Sequence, residues 1–108
     1  MGKPIAHEYG NTKTILKFFP YEAATVLVEA AGVSADENGN KIVKAGTPFP
    51  KNDGTCIGYI LEDVDVTQGD KPGACVYQGT IDNKKLAEAG ITVSAEAKAA
   101  TPRVTFFD

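Results

Sequence analysis

The stretch that decides the fold of this chain runs from Ala45 to Thr80, AGTPFPKNDGTCIGYILEDVDVTQGDKPGACVYQGT. It contains two runs rich in apolar, β-branched and aromatic residues, Cys56 to Val66 and Ala74 to Ile81, and such runs favour strands. Between them, the segment from Gly69 to Gly73 predicts a turn, because glycine and proline supply turn angles. The connection is too long for a two-residue turn. We therefore predict a β-hairpin with a longer loop at the centre of the fold.

The first run changes character along its length. From Cys56 to Leu61 both faces of the strand are apolar, which is typical of a strand buried on two sides. After Leu61 the two faces of the predicted strand differ. Val64 and Val66 lie on the face that is expected to point inward, and carboxylates lie on the other face. These carboxylates and their neighbours are Glu62, Asp63, Asp65 and Asp70. They could form a metal site or an acid pair for hydrolysis, but alternating charges on a strand usually solvate an exposed face.

The chain before the hairpin predicts further strands. The segment from Thr25 to Val33 is rich in β-forming residues and predicts a strand. A polar turn follows at Asn38-Gly39, and Ile42 and Val43 after it predict another strand. In the connection that follows, Phe49 lies between two prolines, which keep it extended as a lid on the core or as an exposed contact.

The chain after the hairpin predicts two short helices and a final strand. Asp82 or Asn83 can cap a helix from Lys84 to Ala89, which Gly90 ends. Ser94 can cap a second helix from Ala95 to Ala100. From Arg103 to Phe107 the pattern alternates again, with Val104 and Phe106 on one face. The fold class that these patterns predict is α+β, a small mostly-β domain, barrel-like or β-clip-like, with one or two short helices and an extended N-terminal arm.

The first part of the chain has no sustained period. Met1 to Tyr21 is broken by prolines and a glycine, yet it is too apolar for a simple solvated tail. It is either an arm that orders against a partner, or its second half, Ile15 to Phe19, is an edge strand of the domain. We divide the chain into an N-terminal arm of residues 1–21 and a single compact β-rich domain of residues 22–108.

Length and charge narrow the classes of function. A chain of 108 residues favours one domain whose core is small enough for partner contacts to matter. The net charge is −3, and the sequence has no cluster of lysine and arginine residues. Because binding to phosphates needs a basic face, we expect no nucleic-acid partner. No apolar run is long enough to span a bilayer, and no segment resembles a signal peptide. We therefore expect no membrane partner and no secretion by a signal peptide.

Catalytic motifs are missing from the sequence. The two cysteines, Cys56 and Cys75, lie in the two central strands, and we interpret them as buried small hydrophobes instead of a disulfide or a reactive pair. The single histidine, His7, lies in the arm, far from both thiols. Neither a phosphate loop, a nucleophile elbow nor a metal-ligand spacing is present. We expect a non-enzymatic protein without cofactor or metal.

Several segments together resemble a known family. They are Ala45-Gly46-Thr47, Asp53-Gly54-Thr55, Ile57 to Asp65, Ala74 to Gly79, Leu86 and the alanine-rich segment before the last strand. In this pattern the chain resembles the head decoration proteins of tailed bacteriophages, the lambda-type capsid-stabilising family.

The resemblance implies a homotrimer on the outside of a mature phage head, bound to the major capsid protein and stabilising the shell. Its location would be the virion exterior, and the host cytoplasm during assembly. In such families an N-terminal arm extends the sheet of the capsid protein, a mode in which main-chain hydrogen bonds give affinity. We expect the capsid-contact residues of the arm to be Lys3, Pro4, Ile5, His7, Tyr9, Ile15, Leu16 and Phe18.

Two alternatives belong to other classes. A carbohydrate- or receptor-binding module on a particle surface would use Tyr59, Tyr77 and Phe49 as exposed aromatic rings. A small enzyme would use Cys56 or Cys75 as its nucleophile.

Overall fold

The computed structural model describes residues 14–107. This part of the chain is a mostly-β domain with two short helices, which confirms the expected fold class. The elements in chain order are β1 Leu16–Val28, β2 Ile42–Val43, β3 Pro48–Phe49, β4 Gly58–Ile60, β5 Val64–Asp65, β6 Lys71–Asp82, α1 Asn83–Ala89, α2 Ala95–Ala100 and β7 Val104–Phe107.

The long strand β6 organises the main sheet. The strand order is β1-β6-β4-β3, and β7 joins β6 in parallel. The other pairs in this sheet are antiparallel. The short strands β2 and β5 form a separate two-stranded sheet, in which Ile42 pairs with Asp65 and Val43 with Val64. Among the described residues the main sheet therefore has unpaired edges at β1, at β3 and at β7.

The predicted central pairing is present, but its first strand is shorter than expected. Strands β4 and β6 pair antiparallel, with Tyr59 opposite Val76 and Ile60 opposite Cys75. All three residues of β4 are buried, as the two-sided apolar pattern indicated. The prediction of one continuous strand from Cys56 to Val66 is wrong, because the chain leaves the main sheet after β4 and pairs as β5 with β2 instead.

The predicted turn from Gly69 to Gly73 is also misplaced. The turn lies earlier, and β6 already begins at Lys71, where it pairs with Val28 of β1. Pro72 lies opposite Leu27, at an end of β6 that pairs with β1 alone. The strand tolerates this proline because the position of its missing backbone N–H can face the unpaired side of β6. Pairing with a distant strand has overridden local turn propensity.

The largest difference concerns β1. The predicted strand from Thr25 to Val33 ends at Val28, and it begins as early as Leu16. The boundary expected after residue 21 therefore falls inside a continuous strand, and the alternative that Ile15 to Phe19 belongs to the domain is the one observed. The rest of the expected arm, residues 1–13, lies outside the described residues.

Two apolar clusters fill the domain, one on each face of β4. The larger one includes Tyr59 and lies between the sheet and both helices, where Leu86 of α1 and Ala97 of α2 are buried. The smaller one joins Ile60 with Val28 and Val66. Phe49 packs against this second cluster, so it acts as a lid on the core.

The helix ends follow the sequence signals. The Asp82 carboxylate accepts a hydrogen bond from Lys84 N at 2.9 Å, and Gly90 ends α1 with a φ of 75°. The Ser94 hydroxyl accepts a hydrogen bond from Ala97 N at 3.0 Å and so caps α2. Both predicted helices are confirmed.

Candidate interaction surfaces

The expected contact residues fall into three groups. Lys3, Pro4, Ile5, His7 and Tyr9 lie outside the described residues. Ile15 and Leu16 are 1% and 0% exposed in the larger core cluster, so in this fold they hold the domain together and present no side chain to a partner. Phe18 is 50% exposed on β1 and is the described residue of that set that a partner could reach.

The first candidate surface is the outer edge of β1. This strand has 13 residues, and no strand within residues 14–107 pairs with its outer edge. A long unpaired edge offers a row of backbone donors and acceptors to another strand. The strands on the other side of β6 are shorter. β7 has 4 residues, and β3 has 2, one of them Pro48, and is followed by Pro50, which leaves few donors. Of these edges, β1 is the one best suited to strand addition.

The segment that leads into β1 is held firmly. Ile15 N donates to Leu61 O at 2.9 Å, and Asp82 N donates to Ile15 O at 2.9 Å. The ammonium of Lys85 donates to two backbone carbonyls, Thr14 O at 2.8 Å and Leu16 O at 3.0 Å. Desolvation lowers the pKa of Lys85. We call Thr14, Ile15 and Leu16 the strand root, and these bonds tie the beginning of β1 to the rest of the domain.

The second candidate surface is an aromatic patch beside this edge. The rings of Phe18 on β1 and Phe107 on β7 meet edge-to-face with their centroids 5.4 Å apart. Phe18 and Phe107 remain 50% and 48% exposed, and Lys17 Nζ lies 6.0 Å from the Phe107 centroid. Aromatic pairs of this kind dominate the energetics of many protein interfaces.

A groove of about 250 Å³ lies next to the patch, and β1, β6 and β7 all contribute to its lining. The groove forms at a shift in the register of the two strands. Phe18 pairs with Thr80 and Glu22 pairs with Gln78, so β1 has more residues than β6 between these two pairs and bulges there. The side-chain oxygen Gln78 Oε1 is buried there without a hydrogen-bond partner among the described residues. Leaving such a buried acceptor unpaired costs about 1–3 kcal/mol.

The carboxylates that could have formed an acid pair serve the backbone instead. Asp63 Oδ1 accepts from Ala45 N at 2.8 Å, and Asp70 Oδ1 accepts from Ala30 N at 2.9 Å. The Thr67 hydroxyl and backbone N–H lower the pKa of the exposed Asp65 carboxyl. Within residues 14–107 no three acidic, histidine or cysteine side chains gather as a metal site would require.

The two cysteines are buried and unbridged, in agreement with their interpretation as small core residues. Cys56 Sγ donates a weak hydrogen bond to Gly58 O at 3.2 Å. Burial raises the pKa of Cys75 to about 11, and the nearby Cys56 adds to the rise. Because the thiolate is the reactive species, Cys75 is poorly suited to nucleophilic chemistry at neutral pH.

The rings that motivated the carbohydrate-binding alternative do not form one surface. Tyr59 is 0% exposed in the core and stacks edge-to-face on Phe106 at 5.3 Å. Phe49 is half-buried against the smaller cluster, and Tyr77 is 36% exposed. Sequence reasoning missed the patch that does exist. The alternation in β7 could have placed Phe107 opposite the buried Val104, but its contact with Phe18 depends on strand pairing.

Comparison with known proteins adds no relative: no protein-family model matches the chain, and neither curated proteins nor solved structures give a match. No helix of residues 14–107 has the length and apolar character needed to cross a bilayer.

Proposed function

We propose that this protein is a non-catalytic capsid decoration protein, which binds the outside of a phage head as a homotrimer and stabilises the shell. The observation that carries the proposal is the outer edge of β1, which is unpaired over 13 residues within the described part of the chain. The sequence resemblance from Ala45 to the last strand supports the same assignment. The partner is the major capsid protein.

Strand addition explains how such an edge binds a shell. At about 3.3 Å per residue, a straight strand of 13 residues would extend for about 40 Å, and the bulges of β1 shorten it. A capsid strand laid along it would gain main-chain hydrogen bonds, and alternate side chains would set the register. Leu27, which is exposed on β1, offers an apolar contact beside the backbone.

The strand root suits a protein that must resist an outward load. The backbone bonds of Ile15 join it both to Leu61 and to Asp82, and Lys85 adds two further bonds. These bonds would therefore transmit a force applied to β1 to the core of the domain, and they would oppose separation of β1 from β6. Three such attachments in one trimer would make the second and third contacts intramolecular, which multiplies weak affinities.

The test mixes the purified chain with expanded empty shells of the major capsid protein. The wild-type chain should bind to saturation and raise the melting temperature of the shell. Ala24→Lys places a charge on an exposed position of β1 and should weaken binding about tenfold or more, because edge lysines block strand addition. Ala87→Lys, on an exposed position of α1, is the matched control and should bind like the wild-type chain.

Two results would contradict the proposal. If the wild-type chain binds no expanded shell, the function is wrong. If Ala24→Lys folds and binds as well as Ala87→Lys, the shell contact lies elsewhere than the β1 edge.

A further inference from the structure

The face of the sheet that carries the aromatic patch is turned away from the core. In β7, Val104 is buried, while Thr105 and Phe107 are exposed on the opposite side. Phe18 joins Phe107 on that side across β6. Two half-exposed phenylalanine rings in contact, on a strand pair that also borders a groove, are a feature of binding surfaces and not of scattered surface residues.

The bulge of β1 shapes this surface. Gly79 has a φ of 156°, and a Cβ added there would meet Tyr21 Cβ at 3.1 Å, so the absence of a side chain lets the two strands approach at this point. Gln78, the residue before it, has its Oε1 buried without a partner in the described chain. The close approach of β1 and β6 at Gly79 thus shapes the groove that lies beside the apolar rings.

Charges of both signs line the same groove. Glu22 of β1 and Arg103, just before β7, are both exposed there, and no ion pair within residues 14–107 joins them. A positive group just before β7 and a negative group on β1 allow the Arg103 side of one copy to meet the Glu22 side of the next, which is the head-to-tail contact that closes a ring of copies.

We propose that this face, defined by Phe18, Phe107, Gln78, Glu22 and Arg103, is the surface through which copies of this chain associate. In the complex, the aromatic patch of one copy is covered by the next copy, and Arg103 of one copy pairs with Glu22 of another. The inference deepens the proposed function by assigning a surface to the association of copies, but its test needs no shell.

The first test is sedimentation of the purified chain over a range of concentrations. The wild-type chain should self-associate, and Phe18→Ser and Phe107→Ser should each weaken association about tenfold or more, since central aromatic anchors dominate such interfaces. Leu27→Ser is the matched control, because Leu27 is 55% exposed on the same strand but pairs with Pro72 at its far end. It should associate like the wild-type chain.

The second test exchanges charges. Glu22→Arg and Arg103→Glu alone should each weaken association, because like charges then face each other, and the double variant should restore it. Both positions are exposed, so the variants should fold, and circular dichroism checks this. Recovery in the double variant distinguishes a direct contact between copies from a general loss of stability.

The proposal is overturned if the wild-type chain is a monomer at all concentrations, or if the patch and charge variants associate as strongly as Leu27→Ser. A chain that associates through this face but binds no shell would leave the inference standing and remove the proposed function. If the chain binds shells but the variants do not change its self-association, the proposed function stands and this inference is wrong.

Discussion

The phenol oxygen of Tyr59 lies 2.8 Å from the hydroxyl oxygen of Thr101, inside the larger core cluster. Thr101 donates its own hydroxyl hydrogen to Ala97 O at 3.0 Å, so Tyr59 is the donor in the bond between the two side chains. This bond joins β4, at the centre of the sheet, to the end of α2.

The Tyr59–Thr101 pair predicts an asymmetric pair of variants. Tyr59→Phe should lower the free energy of unfolding by about 1 kcal/mol, because it removes one hydrogen bond and leaves Thr101 its bond to Ala97. Thr101→Val should cost more, about 1–3 kcal/mol, because the buried phenol then has no acceptor. In the double variant the cost should be less than the sum. Denaturant unfolding of the four proteins measures this cycle, and equal single costs with full additivity would contradict it.

Stability should fall in alkaline solution. Burial raises the pKa of Tyr59 from 10.0 to about 12, so between these pH values the folded state holds a proton that the unfolded state has lost. The free energy of unfolding therefore decreases as pH rises through this range. Thermal unfolding from pH 9 to pH 12 should show a steeper decline for the wild-type chain than for Tyr59→Phe. Parallel curves would mean that the phenol titrates equally in both states.

Lys85→Met should loosen the strand root. The variant keeps the aliphatic stem but loses the two hydrogen bonds from the ammonium to Thr14 O and Leu16 O, and we expect about 1 kcal/mol of destabilisation. Hydrogen exchange at the Ile15 amide should accelerate. Lys84→Met changes an exposed neighbour on α1 and is the control. Unchanged protection at Ile15 in Lys85→Met would show that Lys85 does not hold the root.

Gly58→Ala should disrupt the pairing of β4 with β6. A Cβ at Gly58 would clash with Val76 O and come within 2.8 Å of Cys75 Sγ, so the strands would have to separate. We expect a loss of about 1–3 kcal/mol or more in the free energy of unfolding, which is the usual cost of overpacking. Gly54→Ala is the control, since nothing lies within 4 Å of its added Cβ. Similar stability of the two variants would contradict the close approach of β4 and β6.

Truncation separates the arm from the core. Removing residues 1–13 should leave a cooperatively folding domain, because the shortened chain keeps both described core clusters. Removing residues 1–20 should unfold or severely destabilise it, since Ile15 and Leu16 are fully buried and each contributes about 1.5–3 kcal/mol. Circular dichroism melting compares the two, and a stable domain after the longer truncation would mean that the root is dispensable.

The features that sequence alone predicted correctly depend on short-range interactions. Asp82 and Ser94 cap α1 and α2 through bonds to backbone amides within three residues, and Gly90 ends α1 by its own conformation. The apolar residues on both faces of β4 likewise predicted that this strand is buried on both sides, without reference to its partners. The Phe18–Phe107 patch could only be half predicted, because alternation gives the face of each residue but not its neighbour across the sheet.

Local sequence patterns were enough to predict the fold class, the two capped helices, the antiparallel pairing of β4 with β6 and the burial of the two cysteines. The folded domain was needed to show that β1 begins at Leu16 and that Lys71 to Gly73 is strand instead of turn. It was also needed to show that Gln78 Oε1, which has no hydrogen-bond partner among the described residues, lies beside an aromatic patch. The two groups of features differ in how far apart the interacting residues lie along the chain. Caps and alternation are set by residues a few positions apart, whereas the pairing of Val28 with Lys71, or of Leu16 with Ile81, is set by hydrogen bonds and burial between segments that no local pattern connects.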